Sequence, residues 1–240
     1  MGVCKKCGKR GLFLSVDSRG LCSDCIRKEE SIKRKSQERI NNAIERTKKA
    51  RDEGDREIKL LNDARAKLDA GGDLDECIKV YSEILSRNTR WNKFNFWLSL
   101  IALYQKAGNY DKAWESIQRA NAFSMSYGFP VETMLFHDMK LEHEAYKISK
   151  HEKRYYDALR SLIEYHVLKS GMQIGNSFNY EAFWKEGQSL FKMMKLTSDQ
   201  IDDLTNQVCC VEPSLNVAND AGDLVKPWME KHKLGIFSNS

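Results

Sequence analysis

Two cysteine pairs near the start constrain this chain more than any other feature. Cys4-Lys5-Lys6-Cys7 and Cys22-Ser23-Asp24-Cys25 are C-x-x-C motifs with fourteen residues between them. Two intervening residues let both thiolates of a pair reach one ion from a tight turn. Two such turns supply four sulfurs, the closed tetrahedral shell of a single structural zinc ion. With Cys4, Cys7, Cys22 and Cys25 all taken, no position stays open for water or substrate, so the predicted Zn2+ holds the fold and does no chemistry. Against this stand chance pairing, a disulfide pair, or a redox C-x-x-C. One redox pair does not account for a second pair at zinc spacing.

Gly8 follows the first pair, where a knuckle turn needs positive φ. Leu12-Phe13-Leu14-Ser15-Val16 is a short β-prone run, Asp17-Ser18-Arg19-Gly20 reads as a turn, and the second pair opens a helical pattern. This order of knuckle, hairpin, and knuckle at a helix start resembles treble-clef and zinc-ribbon modules over about residues 1–30. Such modules bind DNA, RNA, protein, or only their own chain. The opening also resembles those of small proteins of Gram-positive bacteria and their phages.

The remaining sequence predicts a mostly α protein. There are three prolines in 240 residues, and Leu, Lys, Glu and Ala abound. No apolar run reaches membrane-spanning length and no secretory signal is visible. Reduced thiols beside a zinc site fit a cytoplasmic setting. Cys77, Cys209 and Cys210 have no evident partners. The adjacent pair at 209–210 invites a redox reading, but incidental thiols at a helix end explain it more simply. With 39 basic and 34 acidic residues, the net charge of +5 does not by itself predict nucleic-acid binding.

Residues 31–57 form a charged helical arm. Ile32, Ile40 and Ile44 give a sparse apolar stripe, Gly54 weakens the helix, and no a/d heptad is evident over three repeats. Residues 58–168 carry a repeat. Trp97, Leu100, Ile101 and Tyr104 lie before Gly108, and Tyr110, Ala113 and Ala120 follow it. Asp73-Leu74-Asp75-Glu76-Cys77 repeats the turn 36 residues earlier, and Lys153 to Ala158 repeats it 45 residues later. The spacing resembles the tetratricopeptide repeat, whose period is about 34. That resemblance implies a right-handed α-solenoid of helical hairpins, although Ile101 replaces the usual small residue and would loosen one helix pair. A generic α-bundle is the competing architecture. Residues 169–240 are expected to cap the solenoid. Phe183, Trp184, Leu190 and Phe191 form a stripe there, Thr197 to Gln200 reads as an N-cap, and the tail from Asp220 either docks or frays.

Catalytic motifs are scarce. His143-Glu144 has Lys147 where a metalloprotease needs its second histidine, and Ser189-x-x-Lys192 stands alone in an apolar stripe. The chain is therefore read as no enzyme. An unfamiliar site around His137, His143 and His166 is the remote exception.

Lys140, His143, Lys147, Lys150, His151 and Arg154 recur at steps of three and four, on one helix face. In the repeat alignment the first five fall on groove-lining positions of a first helix. The resemblance implies peptide binding there, and the cations favour an acidic, phosphorylated or nucleic-acid ligand. An ordinary solvated face balanced by Glu142, Glu144 and Glu152 competes with that reading. Lys5, Lys6, Lys9, Arg10 and Arg19, continued by Arg27 and Lys28, make the zinc module basic. They either follow a phosphate backbone or offset the thiolate charge. Trp91, Phe94, Phe96 and Trp97 suit packing between helices better than base stacking. The reading that collects these features is a non-enzymatic adaptor that holds a protein partner in the helical groove. Its zinc module is a second interaction site, and a homodimer through arm or module is conceivable. The alternative is a zinc-dependent nucleic-acid-binding accessory or regulatory factor.

Overall fold

The computed structural model describes residues 2–12, 14–87, 91–172, 178–210 and 217–234. Phe13 of the β-prone run, residues 173–176 before the predicted cap, and the tail beyond Leu234 lie outside them. The structure is 77% helical with one small antiparallel hairpin, the mostly α class expected. The strands are β1 Gly2–Val3 and β2 Arg10–Gly11. The helices are α1 Ser23–Asp69, α2 Leu74–Ser86, α3 Phe94–Lys106, α4 Tyr110–Tyr127, α5 Val131–His151, α6 Tyr155–Gly171, α7 Tyr180–Met193, α8 Ser198–Val208 and α9 Val217–Lys231. The chain divides into two compact units, Met1–Lys59 with Thr89–Trp91, and Leu60–Asn88 with Asn92–Ser240.

In the first unit the hairpin is not where the β-prone run suggested. Gly2 pairs with Gly11 and Val3 with Arg10, so the strands flank the first knuckle. Of the run, Val16 makes only an isolated bridge to Cys22, while Leu12 is exposed. Knuckle hydrogen bonds impose this arrangement. Cys4 N–H donates to Lys9 O (2.9 Å) and Gly8 N–H to Cys4 O (2.9 Å), with Gly8 at φ +70° as its position required. Asp17 Oδ1 accepts from the amides of Arg19 and Leu21, closing the expected turn. The second knuckle runs into α1, with Asp24 in the first turn, where a carboxylate suits the helix dipole.

Gly54 does not interrupt α1. A Cβ there would lie 3.3 Å from the Trp91 ring, so the missing side chain admits an indole against the helix. That indole donates Nε1–H to the buried Glu57 (2.6 Å).

The second unit is built of helical hairpins. All three repeated turns start helices, namely α2, α4 and α6. Asp73 and Asn109 cap the first two by accepting from Asp75 N–H and Lys112 N–H. α3 packs on α4, α4 on α5 and α5 on α6, with α3 also meeting α5, a helical-repeat-like arrangement. Ile101 is accommodated fully buried. Leu60, Ala64, Lys67, Cys77 and Val80 border a cleft of about 900 Å³ at the junction of α1 and α2.

The core gathers around α6, which is buried at Ala158, Leu159 and every position from Ser161 to Leu168. Phe183 and Phe191 of α7, Leu204 of α8 and Val225 and Trp228 of α9 close on it. Each fully buried side chain of this size contributes about 1.5–3 kcal/mol. The tail therefore docks as far as it is described. Thr197 caps α8 as expected and forms a capping box with Gln200. The aromatic group serves packing: Phe94 stacks on His137 at 3.5 Å, and Trp97 is buried. Among the described residues no helix is long and apolar enough to cross a membrane.

Candidate metal centre and interaction groove

The four predicted ligands converge. Cys4, Cys22 and Cys25 are buried, Cys7 is exposed, and all four sulfurs lie within 4.8 Å of one another, so together they could hold one metal ion. Cys4 Sγ is 3.8 Å from Cys25 Sγ, and Cys7 Sγ is 3.7 Å from Cys22 Sγ. A tetrahedral ion with metal–sulfur bonds of ~2.3 Å sets its ligands ~3.8 Å apart, so the spacing fits such an ion. It is far too long for disulfides, and all four thiols are free. Leu14, Leu21 and Ile26 pack around the sulfurs. Backbone N–H groups of Cys7 and Cys22 stabilise the Cys4 thiolate and lower that thiol to about 6, whereas burial and the neighbouring sulfurs push Cys25 up to about 12. Four thiols packed this closely cannot all ionise until a cation neutralises them.

The basic residues of this module divide into two groups. Lys6 pairs with Glu29 (2.6 Å), Lys9 with Asp24 (3.1 Å), and Arg19 with both Asp17 (3.0 Å) and Glu29 (3.1 Å). Arg27 also pairs with Asp24. Lys5 and Arg10 make no ion pair among the described residues.

Three of the six residues in the predicted stripe border one groove of about 650 Å³. Lys147, Lys150 and His151 of α5 line it together with Ala102, Gln105 and Lys106 of α3, Tyr110 and Met193. Glu144 ties the two walls together by accepting from Gln105 Nε2 and Lys147 Nζ, both at 2.8 Å. Lys150 Nζ donates to Ser189 Oγ (3.2 Å) and lies over the Tyr146 ring. His151 stacks on Tyr110 at 4.0 Å. Ser189, the serine of the isolated S-x-x-K match, thus meets Lys150. The other three stripe residues are placed elsewhere. Lys140 lies over Phe136, and Arg154 bonds Glu152 and Asp157 above the Trp114 ring. His143 binds Glu186 and stacks on Tyr165.

No known protein family, curated protein or solved structure matches this chain.

Sequence reasoning missed the groove's α3 wall, because Lys106 sits in a helix chosen for its apolar positions. It also missed two polar clusters inside the second unit. Glu186 takes His143 on one oxygen and faces His166 Nε2 at 3.4 Å with the other. Burial lowers both histidines, His166 to about 4, so the carboxylate lies between two neutral rings. Glu142 and the buried Glu164 form the second cluster across α5 and α6, where Arg160 donates to Glu164 at 2.7 Å. Burial and the neighbouring carboxylate push Glu142 up, so the pair holds a proton near neutrality. His137 is a packing residue, with Nδ1 at 2.8 Å from Ser124 Oγ and its ring against Phe94.

Proposed function

We propose that the protein is a non-enzymatic adaptor. Its tetratricopeptide-like hairpins hold an anionic segment of a protein partner in the groove between α3 and α5. The four-cysteine module, of treble-clef or zinc-ribbon type, carries one structural zinc ion and offers a second contact surface. The observation that carries this reading is the convergence of Lys106, Lys147, Lys150 and His151 on one open groove that Ala102, Tyr110 and Met193 also line. Lysines around a rigid groove hold carboxylates or phosphates while the apolar floor receives a side chain. Lys140, His143 and Arg154 support the groove's surroundings in this reading and do not touch the ligand.

A tagged pull-down from native lysate, treated with nuclease and read by mass spectrometry, tests it with two baits. The expected result is a discrete protein retained by the wild-type chain and lost from the Lys147→Glu/Lys150→Glu variant. Equal retention by both baits would overturn the groove assignment.

A further inference from the structure

The positive charge of this chain is concentrated on one stretch of α1. Between Lys33 and Arg51 there are eight basic side chains against Glu38 and Glu45, a net +6, while the whole chain carries +5. Every residue from 30 to 53 is exposed. Among the described residues none of the eight is in an ion pair, unlike Lys6, Lys9 and Arg19 of the metal module.

Their placement around the helix is ordered. At about 100° per residue the cations leave free an arc of about 120°. Ile32, Ser36, Ile40, Ala43, Thr47 and Ala50 occupy that arc, and Ile44 stands just beyond its edge. Lys35, Arg39 and Arg46 border the arc on one side, and Lys33, Lys48 and Arg51 on the other. The isoleucines at 32, 40 and 44 are 63%, 52% and 62% exposed.

From this arrangement we infer that α1 between Ile32 and Arg51 lies in the major groove of a B-form DNA duplex. The uncharged arc faces the groove floor, and the two flanking rows meet the two phosphate ridges. A groove about 12 Å wide admits a helix, and its walls supply anions on both sides at once. A second copy of this segment would set +6 against +6. An anionic membrane would need large apolar residues along the arc, whereas four of its six residues are Ser, Ala or Thr. An acidic helix would need both flanks matched along its whole length, which the duplex provides by its repeat. This inference stands apart from the adaptor groove and does not depend on it.

The test is fluorescence anisotropy of a labelled mixed-sequence 24-base-pair DNA duplex with the metal-loaded full chain, from 50 to 200 mM salt. Six phosphate contacts predict a slope of log K against log salt near about −5. Replacing one flank, Lys35→Gln/Arg39→Gln/Arg46→Gln, keeps helix propensity. It should weaken binding at least about tenfold and flatten the slope by about 3. Lys5→Gln/Arg10→Gln in the metal module should leave both nearly unchanged. The inference fails if the duplex does not bind at 50 mM salt, or if the flank variant binds like wild type. It also fails if the module variant carries the loss, or if phosphatidylserine vesicles or polyglutamate compete better than unlabelled duplex at equal charge.

Discussion

The two units of this molecule solve the same problem by opposite means. The buried cluster of the first holds Cys4, Leu21, Cys22 and Cys25, so most of its interior is sulfur that a cation must bring together. The second builds its interior instead from many aliphatic and aromatic side chains closed around α6. A module of about 25 residues cannot bury enough apolar surface to offset its chain entropy. The helical hairpins can, and they are free to place lysines and carboxylates where packing does not demand them. The difference teaches that loss of metal and loss of core should be separable events.

Removing the metal is the largest perturbation. Structural zinc contributes on the order of 10–16 kcal/mol to comparable small sites. Chelation, or Cys22→Ser, should abolish hydrogen-exchange protection between Cys4 and Cys25 and leave the main helical melting transition in place. Collapse of both would show that the division into two units does not hold. Elemental analysis should return one ion per chain before chelation.

Next in size is the converse change. Leu162 is completely buried at the centre of α6, and Leu162→Ala should cost about 2–5 kcal/mol. The helical transition should fall in temperature while metal stoichiometry stays at one. Metal loss in this variant would break the comparison from the other side.

The smallest effect is pH. His166 titrates near 4 in the fold against 6.5 unfolded, because burial disfavours its charge. Between those values the unfolded chain binds the proton and the folded chain does not. Stability from this group is therefore complete above 6.5 and is lost as pH falls towards 4. His137 and His143 shift the same way. Glu142 acts oppositely. Its raised value makes a contribution that is present below 4.5 and fades as pH rises towards 8. Melting temperatures from pH 4.5 to 8.5 should thus pass through a maximum, and Glu142→Gln should flatten the alkaline limb and steepen the acid limb, because the Glu142 contribution fades across both.

Much of this was legible in the residues. Cysteine spacing located the four-sulfur cluster, because two-residue gaps leave little choice of geometry. The turns before α2 and α4 were legible because Asp73 and Asn109 carry their own capping chemistry, and the turn before α6, where Arg154 makes no side-chain cap, was legible only as a repeat of them. What escaped were features whose partners lie far away in sequence. Gly54 looked like a weakness until Trp91 was found against it. Glu142, Glu164 and Glu186 look like surface residues in a charged pattern, since helical periodicity names a face but not what covers it. The β-prone run failed because knuckle hydrogen bonds outweigh strand propensity over so few residues.

Lys93 was equally invisible, and its position has a practical consequence. Its side chain is 2% exposed, and Nζ donates to Ile84 O (3.2 Å) and Arg87 O (2.6 Å) at the end of α2. An ammonium held by two carbonyls is shut off from amine-directed reagents, while the surface lysines of α1 react freely. Acylation at this one position therefore reports the opening of the last turn of α2, an internal clock for local unfolding that requires no added probe.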